Sequence, residues 1–171
     1  IAVLTLALGI GVNTAIFSMV KSVLLNPFPY PKSERLVSLW ENAANSDQYF
    51  HHVSISWPDL QAWRRDNRGF AALGGFHEER YRFTGAGEPE MVVGTQANAA
   101  LFDAIKVSPL LGRVFTAAED QLGAPPLAVL THGFWQRQFG GDPAIVGKTL
   151  RLNGAAYEVI GVLRPELELL T

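Results

Sequence analysis

The apolar and polar positions divide the chain into two unequal parts. The first twenty residues, Ile1 to Val20, contain no charged side chain, and the apolar run continues past Lys21 to Leu25. A helix of this length covers about 30 Å, which is the thickness of the hydrocarbon core of a bilayer. The pattern therefore predicts a transmembrane helix over residues 1–25. A buried core helix of a soluble protein is the alternative that the pattern leaves open.

Small and polar side chains follow one stripe of this predicted helix. Ala7, Gly11 and Ala15 recur at intervals of four residues, and Ser18 lies close to the same stripe. Small residues let a neighbouring membrane helix approach closely. Asn13 should point at protein, because a polar side chain facing lipid is unfavourable. These five positions are the candidates for helix packing inside a transmembrane bundle.

A proline-rich link is predicted over residues 26–34. Pro27, Pro29 and Pro31 cannot continue a helix and make the link stiff. Phe28 and Tyr30 lie where interfacial aromatic residues are usually found. We hypothesise that the three prolines couple movement of the helix to the following domain. Unchanged activity after their replacement by Gly and Ser would count against this coupling role.

Residues 35–171 alternate between strand-like and helix-like patterns. Strands are predicted at Arg35–Trp40, around Tyr81 and Phe83, at Met91–Val93, at Leu127–Leu130, and at Thr149–Leu152 with Ala155–Val159. Helices are predicted after Ser56, at Asn98–Ile105, after the capping-box pattern at Thr116–Glu119, and at His132–Phe139 behind the cap Thr131. The irregular alternation favours a mixed α+β domain.

Two features of this second part are especially informative. Asn153-Gly154 separates two strand-like runs and supplies the positive φ angles of a two-residue hairpin turn. The tryptophans fall on amphipathic elements, which predicts core positions rather than a ligand site. They are Trp40, Trp57, Trp63 and Trp135.

Composition removes several classes of function. The 14 basic and 16 acidic residues are well mixed, and the net charge is −2. No basic patch of the kind that binds nucleic acid is present, so nucleic acid is not an expected partner. The absence of cysteine excludes disulfides and thiolate metal sites within these residues. We expect the chain to be an excerpt, since it begins without Met and ends just after a strand-like stretch.

No motif in the chain predicts an enzyme. Gly141–Thr149 resembles a phosphate-binding loop, but five residues rather than four separate its glycines, and a strand rather than a helix follows. It is predicted to be a turn. The histidines His51, His52, His77 and His132 lack metal-binding spacing. We therefore assign no catalytic residue, no cofactor and no metal ligand.

Two ordered sets of residues are similar to a known family. The first set is 6–18 (LALGIGVNTAIFS), 24–31 (LLNPFPYP) and 35–37 (RLV). The second set is 109–115 (PLLGRVF), 119–120 (ED), 134–137 (FWQR), 139–143 (FGGDP), 147–154 (GKTLRLNG) and 159–162 (VIGV). Together they resemble the permeases of the MacB/FtsX superfamily of ABC transporters, and among these the duplicated orphan permeases of acidobacteria.

The resemblance implies an architecture and a location. The helix over residues 1–25 would be the first transmembrane helix, with three more beyond Thr171. Residues 35–171 would be the N-terminal part of a MacB-like periplasmic core domain. Everything after about residue 26 would then lie on the periplasmic side of the bacterial inner membrane.

The resemblance also implies a function and partners. The chain would be a permease subunit of an ABC-type export, efflux or mechanotransmission system, its extracytoplasmic domain coupling to cargo or a partner protein. Its expected partners are an ABC ATPase subunit, the other transmembrane helices of the permease, membrane lipid, and a second copy in a homodimer. A membrane-anchored extracytoplasmic binding domain without a transport role is the alternative. Three further apolar runs of about 20 residues would favour the permease.

Overall fold

The computed structural model describes most of the domain and part of the N-terminal segment. Its described residues are 10, 11, 13, 14, 17, 30, 33–41, 54–85, 87–121 and 123–170. Within these residues, no helix has the length and apolar character needed to cross a membrane.

The predicted helix-packing and link residues fall mostly outside the described part. Gly11 and Asn13 are described, and both are helical and exposed. A Cβ atom built on Gly11 would meet no atom within 4 Å. The remaining candidates, namely Ala7, Ala15, Ser18, Pro27, Pro29 and Pro31, lie outside the described residues, so their roles stay predictions.

The domain combines three helices with six strands in the described ranges. In chain order the elements are α1 (Trp57–Asp66), β1 (Phe76–Thr84), β2 (Glu90–Ala97), α2 (Ala99–Ile105), β3 (Leu111–Gly112), β4 (Leu127–Leu130), α3 (His132–Phe139), β5 (Thr149–Leu152) and β6 (Ala155–Val162). Short 3-10 segments occupy Ser33–Arg35, Pro143–Ile145 and Pro165–Leu170.

The strands form a single sheet with the order β2-β1-β5-β6-β3, and β4 also pairs with β6. The β4–β6 pair is parallel, and the other pairs are antiparallel. The predicted mixed α+β class is therefore confirmed for the described domain. The predicted hairpin is also confirmed, although β6 continues to Val162.

The turn between β5 and β6 forms hydrogen bonds with β1. Asn153 and Gly154 have φ angles of 51° and 83°, which is the left-handed region that this turn requires. The backbone N–H of Asn153 donates to the carbonyl of Arg82 at 2.9 Å. The Asn153 Oδ1 accepts from the Arg82 N–H at 2.8 Å. One short turn thus extends the β1–β5 ladder by two hydrogen bonds.

The helices begin where their cap residues predict. Ser56, Asn98 and Thr131 accept hydrogen bonds from the backbone N–H three residues onward, at the starts of α1, α2 and α3. Gly140 ends α3 with a φ of 61°. Asn98 has a second role, because its Oδ1 also accepts from the Gly75 N–H at 3.1 Å.

Two hydrophobic clusters stabilise the domain. We call the sheet face that carries Tyr81 and Phe83 the inner face, and α3 packs on it. The main cluster comprises Phe83, Leu130, Trp135, Ile145, Leu150, Val159 and Val162. The second cluster comprises Tyr30, Leu101, Ile105 and Leu167. Burial raises the pKa of the Tyr30 hydroxyl.

The burial of Tyr30 and of the tryptophans corrects two sequence predictions. Tyr30 is only 8% exposed and belongs to the core of the domain rather than to a lipid interface. Trp135 is buried as predicted, whereas Trp40, Trp57 and Trp63 are 52%, 48% and 36% exposed. Trp135 is buried because its helix, α3, packs on the sheet. In α1, Leu60 is the buried residue, whereas Trp57 and Trp63 face solvent.

Two predicted elements differ in the structure. Leu36–Trp40 has no regular secondary structure, so the strand predicted at Arg35–Trp40 is wrong. Val37 is 65% exposed, so this segment lacks the burial that would hold a strand in the sheet. In the Thr116–Glu119 pattern, the Glu119 carboxylate accepts from the Thr116 N–H as in a capping box, but the Glu119 N–H donates to the Thr116 carbonyl, and the segment closes an isolated turn. No helix follows, because the chain reaches Gly123 in the left-handed region and then Pro125-Pro126.

Candidate functional site

A cleft of about 830 Å³ opens on the inner face of the sheet. One side is formed by β2 with Tyr81 and Tyr157, and the other by α2, Phe115, the segment 125–131 and the start of α3. Most of its lining residues are apolar, and the charged ones are Glu90, Glu119, Asp120 and Arg137. Such a concave, mainly apolar surface with a few placed polar groups is the usual form of a binding site.

Tyr81 and Gly94 shape the floor of the cleft. A Cβ atom on Gly94 would come within 2.9 Å of the Tyr81 ring, so glycine makes room for this aromatic side chain. The Tyr81 hydroxyl accepts from Gln96 Nε2 at 3.1 Å, and its ring meets Tyr157 edge-on at 6.4 Å. Burial raises the pKa of Tyr81, although the Gln96 hydrogen bond opposes this shift. Tyr81 is therefore a neutral phenol at physiological pH.

Glu90 connects the two sides of the cleft at one end. Its Oε2 accepts from Gln138 Nε2 at 2.6 Å, and its Oε1 lies 3.9 Å from Arg137 Nη2. The Arg137 guanidinium also lies 5.7 Å from the centroid of the Phe134 ring. Because Glu90 belongs to β2 and Gln138 to α3, these contacts fix the width of the cleft at this end.

Glu119 forms a second polar cluster on the rim. Arg113 donates two hydrogen bonds to its carboxylate, at 2.6 and 2.8 Å, and Thr116 donates through its N–H and its hydroxyl at 2.9 and 2.8 Å. The Arg113 hydrogen bonds, followed by those of Thr116, lower the pKa of Glu119 to about 2. The side chain is therefore ionised at physiological pH, and its hydrogen bonds stabilise the 113–119 turn.

Replacing Glu119 with Gln should remove a pH-dependent part of the stability. The folded state lowers the pKa of Glu119 from 4.5 to about 2. Its contribution is therefore fully present above about pH 4.5 and is lost as the pH falls through about 2. We expect the E119Q protein to unfold at lower urea than the unsubstituted protein at pH 7, and the two midpoints to converge near pH 2. Glu88→Gln, in the exposed β1–β2 turn, is the control; equal effects of both substitutions would contradict the role of the cluster.

The segment that resembles a phosphate-binding loop, Gly141–Thr149, forms a turn in the structure. Pro143–Ile145 forms a 3-10 turn capped by Asp142, whose Oδ1 accepts from the Ala144 N–H at 2.9 Å. Lys148 Nζ lies 3.2 Å from Asp142 Oδ2. The Ala144 N–H and then Lys148 lower the pKa of Asp142. The predicted turn is confirmed, and its lysine is paired with a carboxylate.

The described histidines belong to no metal site. His77 lies 4.0 Å from Glu79, and His132 meets the ring of Trp135 edge-on; His51 and His52 lie outside the described residues. In the ranges that the structure covers, no group of three or more metal-ligating side chains of His, Cys, Asp or Glu occurs.

Sequence reasoning did not identify the cleft, and Gly11 and Asn13, the described packing candidates, do not line it. Its lining comes from segments distant in the chain, so no local pattern marks it. Gly94 was the one local signal, since a glycine inside a strand often marks a close approach.

Comparison with known proteins relates this fold to transporter domains. The model of the MacB-like periplasmic core domain family matches residues 1–169. The extracellular domain of the noncanonic ABC-type transporter YknZ from Gram-positive bacteria superposes with a TM-score of 0.56 and 22% identity, covering 65% of this chain and 58% of that one. The periplasmic region of MacB from Actinobacillus actinomycetemcomitans gives 0.57 and 16%, covering 75% and 60%.

At these identities the two structures share the fold with this chain. The chain covers 58% and 60% of their lengths. None of the curated proteins with which it was compared matches its sequence.

Proposed function

This chain belongs to the family of MacB-like periplasmic core domains, and we propose that it serves in the permease subunit of an ABC-type export or mechanotransmission system. The family match over residues 1–169 carries this proposal, because it includes both the uncharged N-terminal run and the folded domain. In this view the run spans the bacterial inner membrane, and the domain lies on its periplasmic side.

In the proposed system, ATP is hydrolysed by a separate ABC ATPase subunit or domain. This chain would contribute a membrane helix that packs with the other helices of the permease and with lipid, and an extracytoplasmic domain. The proposal includes assembly as a homodimer. The pairing of Lys148 with Asp142 supports the assignment of ATP hydrolysis to another subunit or domain, because the lysine of the glycine-rich turn is engaged by a carboxylate.

The contacts of Tyr30 suggest how movement would reach the cleft. Tyr30 lies between Pro29 and Pro31 in the link and is buried with Leu101, Ile105 and Leu167 in the second cluster. Leu101 and Leu167 also line the cleft. A displacement of the link would therefore act on α2 and on one side of the cleft. We propose that the cleft binds an apolar part of the cargo or of a partner protein.

Filling the cleft tests this function. Gln96 is exposed and lines the cleft, so Gln96→Trp places a large ring there without disturbing the core. We expect the full-length Q96W permease to accumulate normally but to restore less than about a tenth of the activity lost when the permease gene is deleted, since an excluded ligand forfeits its whole binding energy.

Two control variants separate filling from other effects of the substitution. Gln96→Ala removes the hydrogen bond to Tyr81 without filling the cleft, and Arg68→Trp adds an exposed tryptophan elsewhere. Both should complement the deletion within about twofold of the unsubstituted gene, as isolated surface changes usually do. Full complementation by Q96W would overturn the proposed role of the cleft.

A further inference from the structure

The face of the sheet opposite Tyr81 and Phe83 carries an exposed apolar pair beside three arginines. We call Arg80, Arg82, Met91, Val93 and Arg151 the outer-face patch. Met91 and Val93 are 61% and 54% exposed, and the three arginines are exposed as well. Side by side on an exposed sheet face, these two apolar side chains form a small apolar patch.

Strand register places these side chains together. Arg82 lies directly opposite Met91, and Arg80 lies opposite Val93. Directly opposed residues on one face have Cβ atoms about 5 Å apart. Arg151 lies opposite Thr84, the next position along the same face from Arg82. The arginines therefore border the apolar pair on the side of β1 and β5.

Three arginines and two glutamates of the described strands lie on this face, so its net charge is positive. No ion pair to a described carboxylate involves Arg80, Arg82 or Arg151. The acidic residues of the same face lie at its ends, Glu78 opposite Thr95 and Glu158 opposite Thr149. Arg113 and Arg137, by contrast, pair with glutamates.

This combination of groups favours a protein partner. A guanidinium binds a carboxylate through two parallel hydrogen bonds, which suits a fixed acidic surface. A methionine beside it adapts to the shape of an apolar partner. Adsorption to anionic lipid usually needs a cluster of four to eight basic residues, and this face has three.

We propose that the outer-face patch docks a partner protein through a surface whose apolar centre is bordered by carboxylates. The proposal rests on the proposed function only in placing the domain where such a partner can reach it. Met91 and Val93 also belong to the part of β2 that lines the cleft, so a partner on the patch would bind beside the cargo.

Photocrosslinking in cells tests the proposal. In the full-length permease, Met91 is replaced by p-benzoylphenylalanine, and the crosslinked peptide is identified by mass spectrometry. We expect an acidic segment of another protein. Arg80→Glu with Arg82→Glu should reduce the crosslink about tenfold or more, because like charges then oppose each other. The matched pair Arg68→Glu with Arg164→Glu, also exposed, should leave it unchanged.

A charge reversal completes the test. Replacing the acidic residues of the captured segment with Lys should restore the crosslink to the R80E/R82E permease. The proposal would be overturned if the crosslink captured lipid or a second copy of this chain, or if no crosslink formed. It would also be overturned if both arginine pairs reduced the crosslink equally, or if the charge reversal failed to restore it. ATP hydrolysis by the permease complex is measured in parallel: if it persists while the crosslink fails, the docking surface is wrong and the proposed function stands.

Discussion

Replacing Gly161 with Val should lower the free energy of unfolding by about 3 kcal/mol or more. Gly161 lies on β6 where β3 and β4 both pair with it. A Cβ atom there would lie 2.2 Å from the Arg113 carbonyl oxygen and 2.9 Å from that of Leu111. These are backbone atoms, so they cannot rotate away as a side chain could.

Relief of this clash would break the pairing of β3. The Leu110 N–H donates to the Val162 carbonyl at 2.7 Å, and the Arg113 N–H donates to the Ile160 carbonyl at 2.9 Å. Both bonds would lengthen if the strands separated. Urea unfolding followed by tryptophan fluorescence measures the loss. Gly69→Val is the matched control, since a Cβ atom on Gly69 meets nothing within 4 Å; similar midpoints for both variants would show that the three strands do not meet as described.

Trp135→Ala should lower the free energy of unfolding by about 3–5 kcal/mol, the usual range for a large buried aromatic residue. Trp135 is 6% exposed in the main cluster. Its Nε1 donates to the Asp142 carbonyl at 2.9 Å, which ties α3 to the following turn. The truncation would leave both a cavity and a carbonyl without this donor.

Two further variants separate these contributions in the same unfolding assay. Trp135→Phe keeps most of the packing but loses the hydrogen bond, and we expect a loss of about 1–2 kcal/mol. Trp57→Ala removes a side chain that is 48% exposed and should change the free energy by less than about 1 kcal/mol. A Trp135→Ala loss no larger than that of Trp57→Ala would contradict the position of α3 on the sheet.

Features encoded by a few neighbouring residues were predictable from the sequence. The Asn153-Gly154 turn needs two positive φ angles, and the structure has both. Ser56 and Thr131 cap α1 and α3 because each cap acts within its own first turn. In these cases the decisive contacts span three or four residues, so tertiary structure has little opportunity to override them.

Features that depend on long-range contacts were not predictable in the same way. The parallel pairing of β4 with β6 brings Leu127 opposite Glu158, and nothing in the local pattern selects that partner. Residues 36–40 have the composition of a strand but lack a place in the sheet. Thr116–Glu119 has the residues of a capping box without the length of chain for a helix.

The candidate site also combines features that were predictable from local sequence with features that depend on long-range contacts. Tyr81 was predictable as a half-buried strand residue, but not as the floor of a cleft, because its neighbours Gln96 and Tyr157 come from other strands. Composition and spacing predict Gly11 and Asn13 as helix-packing positions, and this role stays a prediction. The local sequence therefore predicted the conformation and burial of single residues, whereas the sheet topology determined which of them contact one another.

ATP hydrolysis by the complete complex tests the central claim most directly. The full-length permease is affinity-purified from its own cells and reconstituted in lipid nanodiscs, and the hydrolysis rate is compared with that of the co-purified ATPase after its release from the permease. The account predicts that an ABC ATPase co-purifies and that its rate changes severalfold when the permease is present. A permease that retains no ATPase, or an ATPase whose rate is the same with and without it, would contradict the account.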